Sequence, residues 1–151
     1  MLNAHSTRFR AMAVLAAITA LATANVGAAT AAPFGDGAAI SLNVGQETPA
    51  PNSRAHGFFS YEIVNGEFCY RLRVQNLSAD VSAAHIHIAP RNVAGPVVIP
   101  LEVGKGTSWN ENACIPAASS LLAAIEANPG DYYVNVHTIA VPSGEIRGQL
   151  K

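Results

Sequence analysis

The chain is poor in charge, because only 13% of its 151 residues are Asp, Glu, Lys or Arg, and its basic residues form no cluster. Nucleic acid is held by grouped Lys and Arg side chains, so it is not an expected partner. Glycine patterns that cradle phosphate are missing, and no serine lies in a nucleophile-elbow context. The carboxylates are scattered and do not define a glycosidase pair. The sequence therefore contains none of these standard enzyme motifs.

Long apolar runs are also scarce. The sequence has a single one, which lies near the N-terminus. Residues 5–10 contain two arginines and no acid, a mainly apolar run covers 11–24, and Ala-Thr-Ala at 29–31 fits a small-x-small cleavage pattern. This arrangement predicts a secretory signal peptide over residues 1–31. A membrane anchor over 11–32 is the alternative, but alanine dominates that stretch and four polar residues interrupt it.

The predicted mature chain begins with a short leader at 32–37, followed by one domain at 38–151. Removal of Arg8 and Arg10 leaves seven basic residues against ten acidic ones. No second segment is apolar over a length that spans a membrane, so we expect no membrane association after signal removal. The predicted location is secreted or extracytoplasmic, in the periplasm or the cell wall.

Cysteine is nearly absent, with Cys69 and Cys114 as the complete set and no CxxC motif. An even count in a secreted protein predicts one structural disulfide. Two free or metal-binding thiols are the alternative, which an oxidising compartment disfavours.

Short alternating segments separated by turn formers predict an all-β domain, an antiparallel Greek-key β-sandwich of about eight strands. Asn65-Gly66 predicts a tight hairpin turn, and Pro100 favours an edge strand or a bulge. One short helix is predicted near 117–127, where the apolar residues have helical spacing before Asn-Pro-Gly at 128–130. The predicted strands cover residues 38–44, 58–64, 67–75, 83–89, 97–103, 107–114 (a short strand or loop), 131–138 and 145–150.

Histidines supply the candidate site. Side chains alternate along a strand, so His85 and His87 project to one face, and His137 lies on a later strand. Neutral imidazoles bind copper and zinc, and three of them with an open position suit one such ion. The structural alternative has these histidines tying strand ends to loop carbonyls, or to Glu145 and Asn135.

Other polar residues are expected at the surface. Glu145 and Arg147 share a strand face, where they are expected to pair across to another strand, and as an exposed surface pair they would contribute little to stability. His56 is interpreted as an exposed loop residue. Arg71 and Arg73 are interpreted as part of a solvated strand face.

Three segments resemble the chordin-type (CHRD) domain family. They are AAHIH at 83–87 with GPVV at 95–98, NPGDYYVNVHT at 128–138, and SGEIRGQL at 143–150. The resemblance covers roughly residues 38–150 and implies an extracellular β-sandwich of undefined biochemical role. That family is similar in layout to the copper/zinc superoxide dismutase sandwich, which also has a His-x-His strand and a late histidine. This chain has no histidine between His87 and His137, so a full dinuclear site is not expected.

Two functions follow as hypotheses. The first is a secreted, non-enzymatic module that binds an unknown protein or a cell-surface polymer, with no cofactor. The second is a mononuclear metalloprotein that binds copper in preference to zinc through His85, His87 and His137. This hypothesis includes redox chemistry of the superoxide dismutase type. If the protein is an enzyme, it is expected to be a metal-dependent oxidoreductase.

Overall fold

The computed structural model describes residues 39–151. The predicted signal peptide (1–31) and leader (32–37) lie outside the described residues, and their bounds stay predictions. Within 39–151, no helix is long and apolar enough to cross a membrane.

The described chain consists of eight strands, one α-helix and two short 3-10 segments, which confirms the all-β class with one helix. The 3-10 segments cover Val44–Gln46 and Pro129–Asp131. The strands are β1 (Ile40–Asn43), β2 (His56–Val64), β3 (Glu67–Gln75), β4 (Val81–Ile88), β5 (Val97–Leu101), β6 (Trp109–Pro116), β7 (Tyr132–Thr138) and β8 (Ile146–Gln149). Helix α1 (Ser119–Ala127) connects β6 to β7.

The strands pair antiparallel in the order β5-β4-β7-β8-β1-β2-β3-β6. The β1–β8 pairing has one residue pair, Asn43 with Arg147, so the sheet divides there into two four-stranded halves. Buried side chains of both halves form one hydrophobic cluster, so the halves enclose a common core. The chain crosses between the halves after β3, β5 and β6, which agrees with the predicted Greek-key sandwich.

The hairpin between β2 and β3 forms at the predicted turn. Asn65 and Gly66 both have positive φ, 53° and 82°, as a two-residue hairpin turn requires. The turn sets the register of β3, and its alternate residues Phe68, Tyr70, Leu72 and Val74 are all buried in the core.

Strand β6 has the length of the predicted segment 107–114 but lies two residues further along the chain, and it forms one edge of the sheet beside β3. Cys69 and Cys114 stand directly opposite each other in this pair, with Cα atoms 3.9 Å apart, and form the predicted disulfide. Trp109 begins the strand and is 8% exposed, within the core cluster.

Helix α1 begins two residues later than predicted, because Ala118 has extended backbone angles (φ −59°, ψ 133°). The helix ends at Ala127, where Asn128 departs from helical angles and Pro129 follows. Leu122 and Ile125 face the core.

Strand β5 forms the other edge of the sheet and contains Pro100, as the sequence predicts. Its pairing with β4 shifts in register between Ile86 and His87. Strand β4 therefore lies between an irregular edge strand and β7, which places its outward side chains beside those of β7.

Candidate metal centre

Strands β4 and β7 bring the three predicted histidines together. Ala84 and Ile86 are buried in the core, so His85 and His87 lie on the opposite, outward face of β4. His137 pairs in register with Ala83, two residues before His85 and therefore on the same face of the sheet. One ligand nitrogen from each histidine lies within 4.8 Å of the other two, so the predicted constellation exists.

Two of the rings are held by main-chain carbonyls through the same nitrogen. His87 Nδ1 lies 2.8 Å from Gly95 O, and His137 Nδ1 lies 2.9 Å from Pro142 O. A carbonyl oxygen only accepts, so each Nδ1 carries the proton and each Nε2 presents a lone pair. This is the arrangement that orients metal-binding histidines in proteins.

His85 completes the cluster through its other ring nitrogen. Its Nδ1 lies 3.1 Å from His137 Nε2, and the two rings meet edge to face with centroids 4.9 Å apart. In the metal-free protein, His85 Nδ1 donates its proton to that lone pair. When the proton resides on His85 Nε2 instead, both facing nitrogens present lone pairs to a shared cation.

Within the three-histidine cluster, His87 contributes a buried nitrogen without a hydrogen-bond partner among the described residues. The residue is 7% exposed, and its Nε2 has no hydrogen-bond partner among the described residues. Buried polar atoms in native proteins are nearly always paired, so this nitrogen calls for a ligand or another partner. Its position in the cluster fits a metal ion.

The surroundings favour the neutral form of His85 and His137. Burial, together with the neighbouring His137 and His87, lowers the pKa of His85. Burial also lowers the pKa of His137, with His87 acting in the same direction, although the hydrogen bond to Pro142 opposes both. Both rings are therefore in the metal-binding form at neutral pH.

The Tyr133 ring packs against the buried ring of His87, and Arg147 packs against Tyr133. The Tyr133 ring pairs in register with His87 and stacks on it, with centroids 4.8 Å apart and planes 9° from parallel. The Arg147 guanidinium carbon lies 3.3 Å from the Tyr133 centroid. Sequence reasoning missed both residues as parts of the site, although Tyr133, Asn135 and His137 alternate on one strand and therefore share a face.

The expectation of an exposed Glu145–Arg147 pair is wrong, because these residues are 0% and 1% exposed. Glu145 accepts hydrogen bonds from the Ser53 hydroxyl, the Ser78 amide and the Thr138 hydroxyl. Burial opposes its ionisation, but those hydrogen bonds outweigh burial and hold its pKa below the ordinary value. The carboxylate of Glu145 is therefore hydrogen-bonded to residues other than the three histidines.

His56 is part of β2 rather than of a loop, which corrects the expectation for this residue. Its Nδ1 contacts Arg54 O at 3.1 Å, and its Nε2 contacts Gln75 Oε1 at 3.2 Å. Both nitrogens are occupied, so His56 is not a fourth ligand.

One further group of metal-type side chains occurs within residues 39–151, formed by Glu67, Cys69 and Cys114. Its sulfurs are joined in the disulfide and are not thiolates, so it is not a metal site. The described residues thus provide one three-histidine cluster and no second set of free ligands beside it.

Fold and site together define an all-β sandwich domain with three histidines converging on the outer face of one half. The chain belongs to the CHRD domain family, whose match covers residues 38–150. No curated protein and no solved structure matches the chain. The family and the disulfide are consistent with an extracellular protein.

Proposed function

We propose that this CHRD domain is a mononuclear metal-binding protein, with copper preferred to zinc, acting outside the cytoplasm. The ligands are His85 Nδ1, His87 Nε2 and His137 Nε2. The observation that carries the proposal is the buried Nε2 of His87, which has no partner among the described residues and lies in a cluster of three histidines.

The spacing of the nitrogens suits a single ion. Imidazole nitrogens bind zinc at about 2.0–2.1 Å, which separates neighbouring ligands by roughly 3.3–3.6 Å in tetrahedral or trigonal geometry. His85 Nδ1 and His137 Nε2 are 3.1 Å apart, and one nitrogen from each of the three histidines lies within 4.8 Å of the other two. Small rotations about the side-chain torsions of His85 would close the set around an ion.

A scaffold role alone explains less of this geometry. Histidines that only tie strand ends to loops need the Nδ1 bonds to Gly95 and Pro142, and both are present. Such a role gives no reason to bury the opposite nitrogen of His87 without a partner, which costs free energy. A bound ion gives that reason.

Three histidines leave at least one coordination position open, which favours exchange of a small ligand over a closed structural site. A copper ion held there would supply one-electron chemistry, including reaction with superoxide, and zinc would supply a Lewis acid. The contribution of this chain is to orient the three imidazoles and to shield the His87 side of the site from solvent.

Metal titration of the chelator-stripped protein tests the proposal. We expect close to one equivalent of copper, and of zinc in a separate titration, retained after removal of excess metal and counted by elemental mass spectrometry. His87→Ala and His137→Ala should each abolish retention. His56→Ala is the matched control, because both of its nitrogens already have protein partners, and it should retain the ion.

Retention in the His87→Ala and His137→Ala variants would contradict the ligand assignment. Lack of retained metal in the unaltered protein would reject the metal function and leave the histidines as scaffold.

A further inference from the structure

Arg147 is a buried cation with two hydrogen bonds to the carbonyls of one loop. It is 1% exposed, its NH1 donates to Val93 O at 2.8 Å, and its NH2 donates to Pro90 O at 2.9 Å. NH2 also contacts Gln149 Oε1 at 3.2 Å. The planar guanidinium thus joins two carbonyls of residues 89–96, here named the β4–β5 loop, in a fork that a lysine cannot form.

The same loop sets the orientation of His87. Gly95 O accepts the proton of His87 Nδ1 at 2.8 Å, and Gly95 N donates to the Tyr133 hydroxyl at 3.1 Å. A Cβ added at Gly95 would lie 2.0 Å from Ile88 O, so the close approach of the loop to the strand requires glycine here.

Arg147 therefore acts on His87 by two routes. One runs through the loop carbonyls to Gly95 and fixes which ring nitrogen carries the proton. The other runs through the Tyr133 ring, which lies against both the guanidinium and the imidazole and fixes the plane of the latter. Both routes end on the ring whose Nε2 has no partner within the described residues.

Stability alone does not explain an arginine at this position. Burying a guanidinium costs free energy unless it is fully paired, and its Nε has no partner within residues 39–151. Burial lowers the pKa of Arg147, Tyr133 and Glu47 act to raise it, and the nearby cation Arg91 acts in the same direction as burial. The groups that it does satisfy are loop carbonyls next to the candidate ligand.

We propose that Arg147 is a positioning residue that fixes the tautomer and the ring plane of His87 for metal binding, through the β4–β5 loop and Tyr133. This inference rests on the proposed metal function, but its effect on His87 is present in the metal-free protein as well.

The first measurement is the tautomer of His87 in the metal-free protein, from NMR of ¹⁵N-labelled histidine. The unaltered protein should show a single Nδ1–H form at His87. Arg147→Met and Arg147→Lys should both show averaging between the two tautomers. Tyr70→Phe is the control, because it removes a different buried hydrogen bond, from its hydroxyl to Glu102 O at 3.0 Å, in the other half of the sandwich.

The second measurement is copper and zinc affinity by competition with a chelator. Residues that orient metal ligands typically change affinity 10–100-fold, and we expect a loss of that size in both Arg147 variants. Tyr70→Phe should bind as the unaltered protein does. Gly95→Ala perturbs the same loop without altering Arg147, so it should reproduce the tautomer change even where an Arg147 variant fails to fold.

The outcomes separate the two proposals. A fixed His87 tautomer in the Arg147 and Gly95 variants would overturn the positioning role, whether or not metal binds. Full recovery by Arg147→Lys would overturn it too, because charge alone would then suffice. Absence of metal binding in the unaltered protein, with tautomer averaging in the variants, would reject the metal function and retain the positioning of His87.

Discussion

The stability of this domain should depend on pH through Glu47, which follows the first 3-10 segment and is 9% exposed. Burial raises the pKa of Glu47 from 4.5 to about 7, although the charge of Arg147 and a hydrogen bond from Asn135 favour the ionised form. The folded protein therefore holds a proton that the unfolded chain has already released between pH 4.5 and 7. Stability falls as the pH rises through that window.

The magnitude follows from the size of the shift. One pKa unit corresponds to 1.36 kcal/mol, so the full shift at Glu47 would be worth about 3.4 kcal/mol. Glu47 retains some contact with solvent, which screens the effect, and we expect about 1–3 kcal/mol. Glu47→Gln keeps the shape of the side chain and removes the titration.

The assay is urea unfolding of both proteins across this pH range. The free energy of unfolding should be similar for the two at about pH 4.5, and Glu47→Gln should be the more stable by about 1–3 kcal/mol at pH 8. Glu126→Gln, at an exposed position of α1, is the control and should show no such trend. An equal difference between Glu47→Gln and the unaltered protein at both pH values would refute the burial of a proton-binding carboxyl at this position.

Three further predictions concern other parts of the domain. Glu145→Gln should lower the free energy of unfolding by about 2–3 kcal/mol at neutral pH, because the groups that donate to Glu145 lose a charged acceptor. In urea melts this difference should shrink as the pH falls through the lowered pKa of Glu145. Reduction of the Cys69–Cys114 disulfide, which spans 45 residues, should cost about 3–4 kcal/mol in the same assay, and an unchanged midpoint would contradict this. Metal retention should persist below pH 6.5 and fall on further acidification, because the pKa values of His85 and His137 are lowered. A loss of metal centred above pH 6.5 in a titration series would contradict these two histidines as ligands with lowered pKa values.

Local sequence patterns predicted the features that depend on alternation and turn chemistry. The Asn65–Gly66 turn, the buried face of β3 and the shared face of His85 and His87 all follow from a period of two and from residues that tolerate positive φ. The same reasoning placed Pro100 on an edge strand or at a bulge, and β5 forms an edge of the sheet. The approach of His137 to His85 was a hypothesis at that stage, because alternation within a strand does not determine which strands become neighbours.

The burial of Glu145 and Arg147 could not be predicted in this way. Charged residues at alternating positions of a strand usually face solvent, and nothing in the segment itself distinguishes the buried case. Arg147 is buried because the β4–β5 loop covers it and presents backbone carbonyls to its guanidinium. Backbone carbonyls have no sequence signature, so the partners of Arg147, like those of His87 and His137, became visible only in three dimensions.

The choice between scaffold and metal centre therefore rests on what remains unpaired. Both interpretations require the Nδ1 bonds that tie His87 and His137 to loop carbonyls, so these bonds do not discriminate between them. They do determine that the opposite nitrogens converge as lone pairs, which repel each other electrostatically in the absence of a shared proton or cation. The His85–His137 contact relieves one such conflict with a proton, and His87 Nε2 has no equivalent relief among the described residues. A cation in the cluster would relieve the remaining conflict, which is the physical reason for preferring the metal assignment.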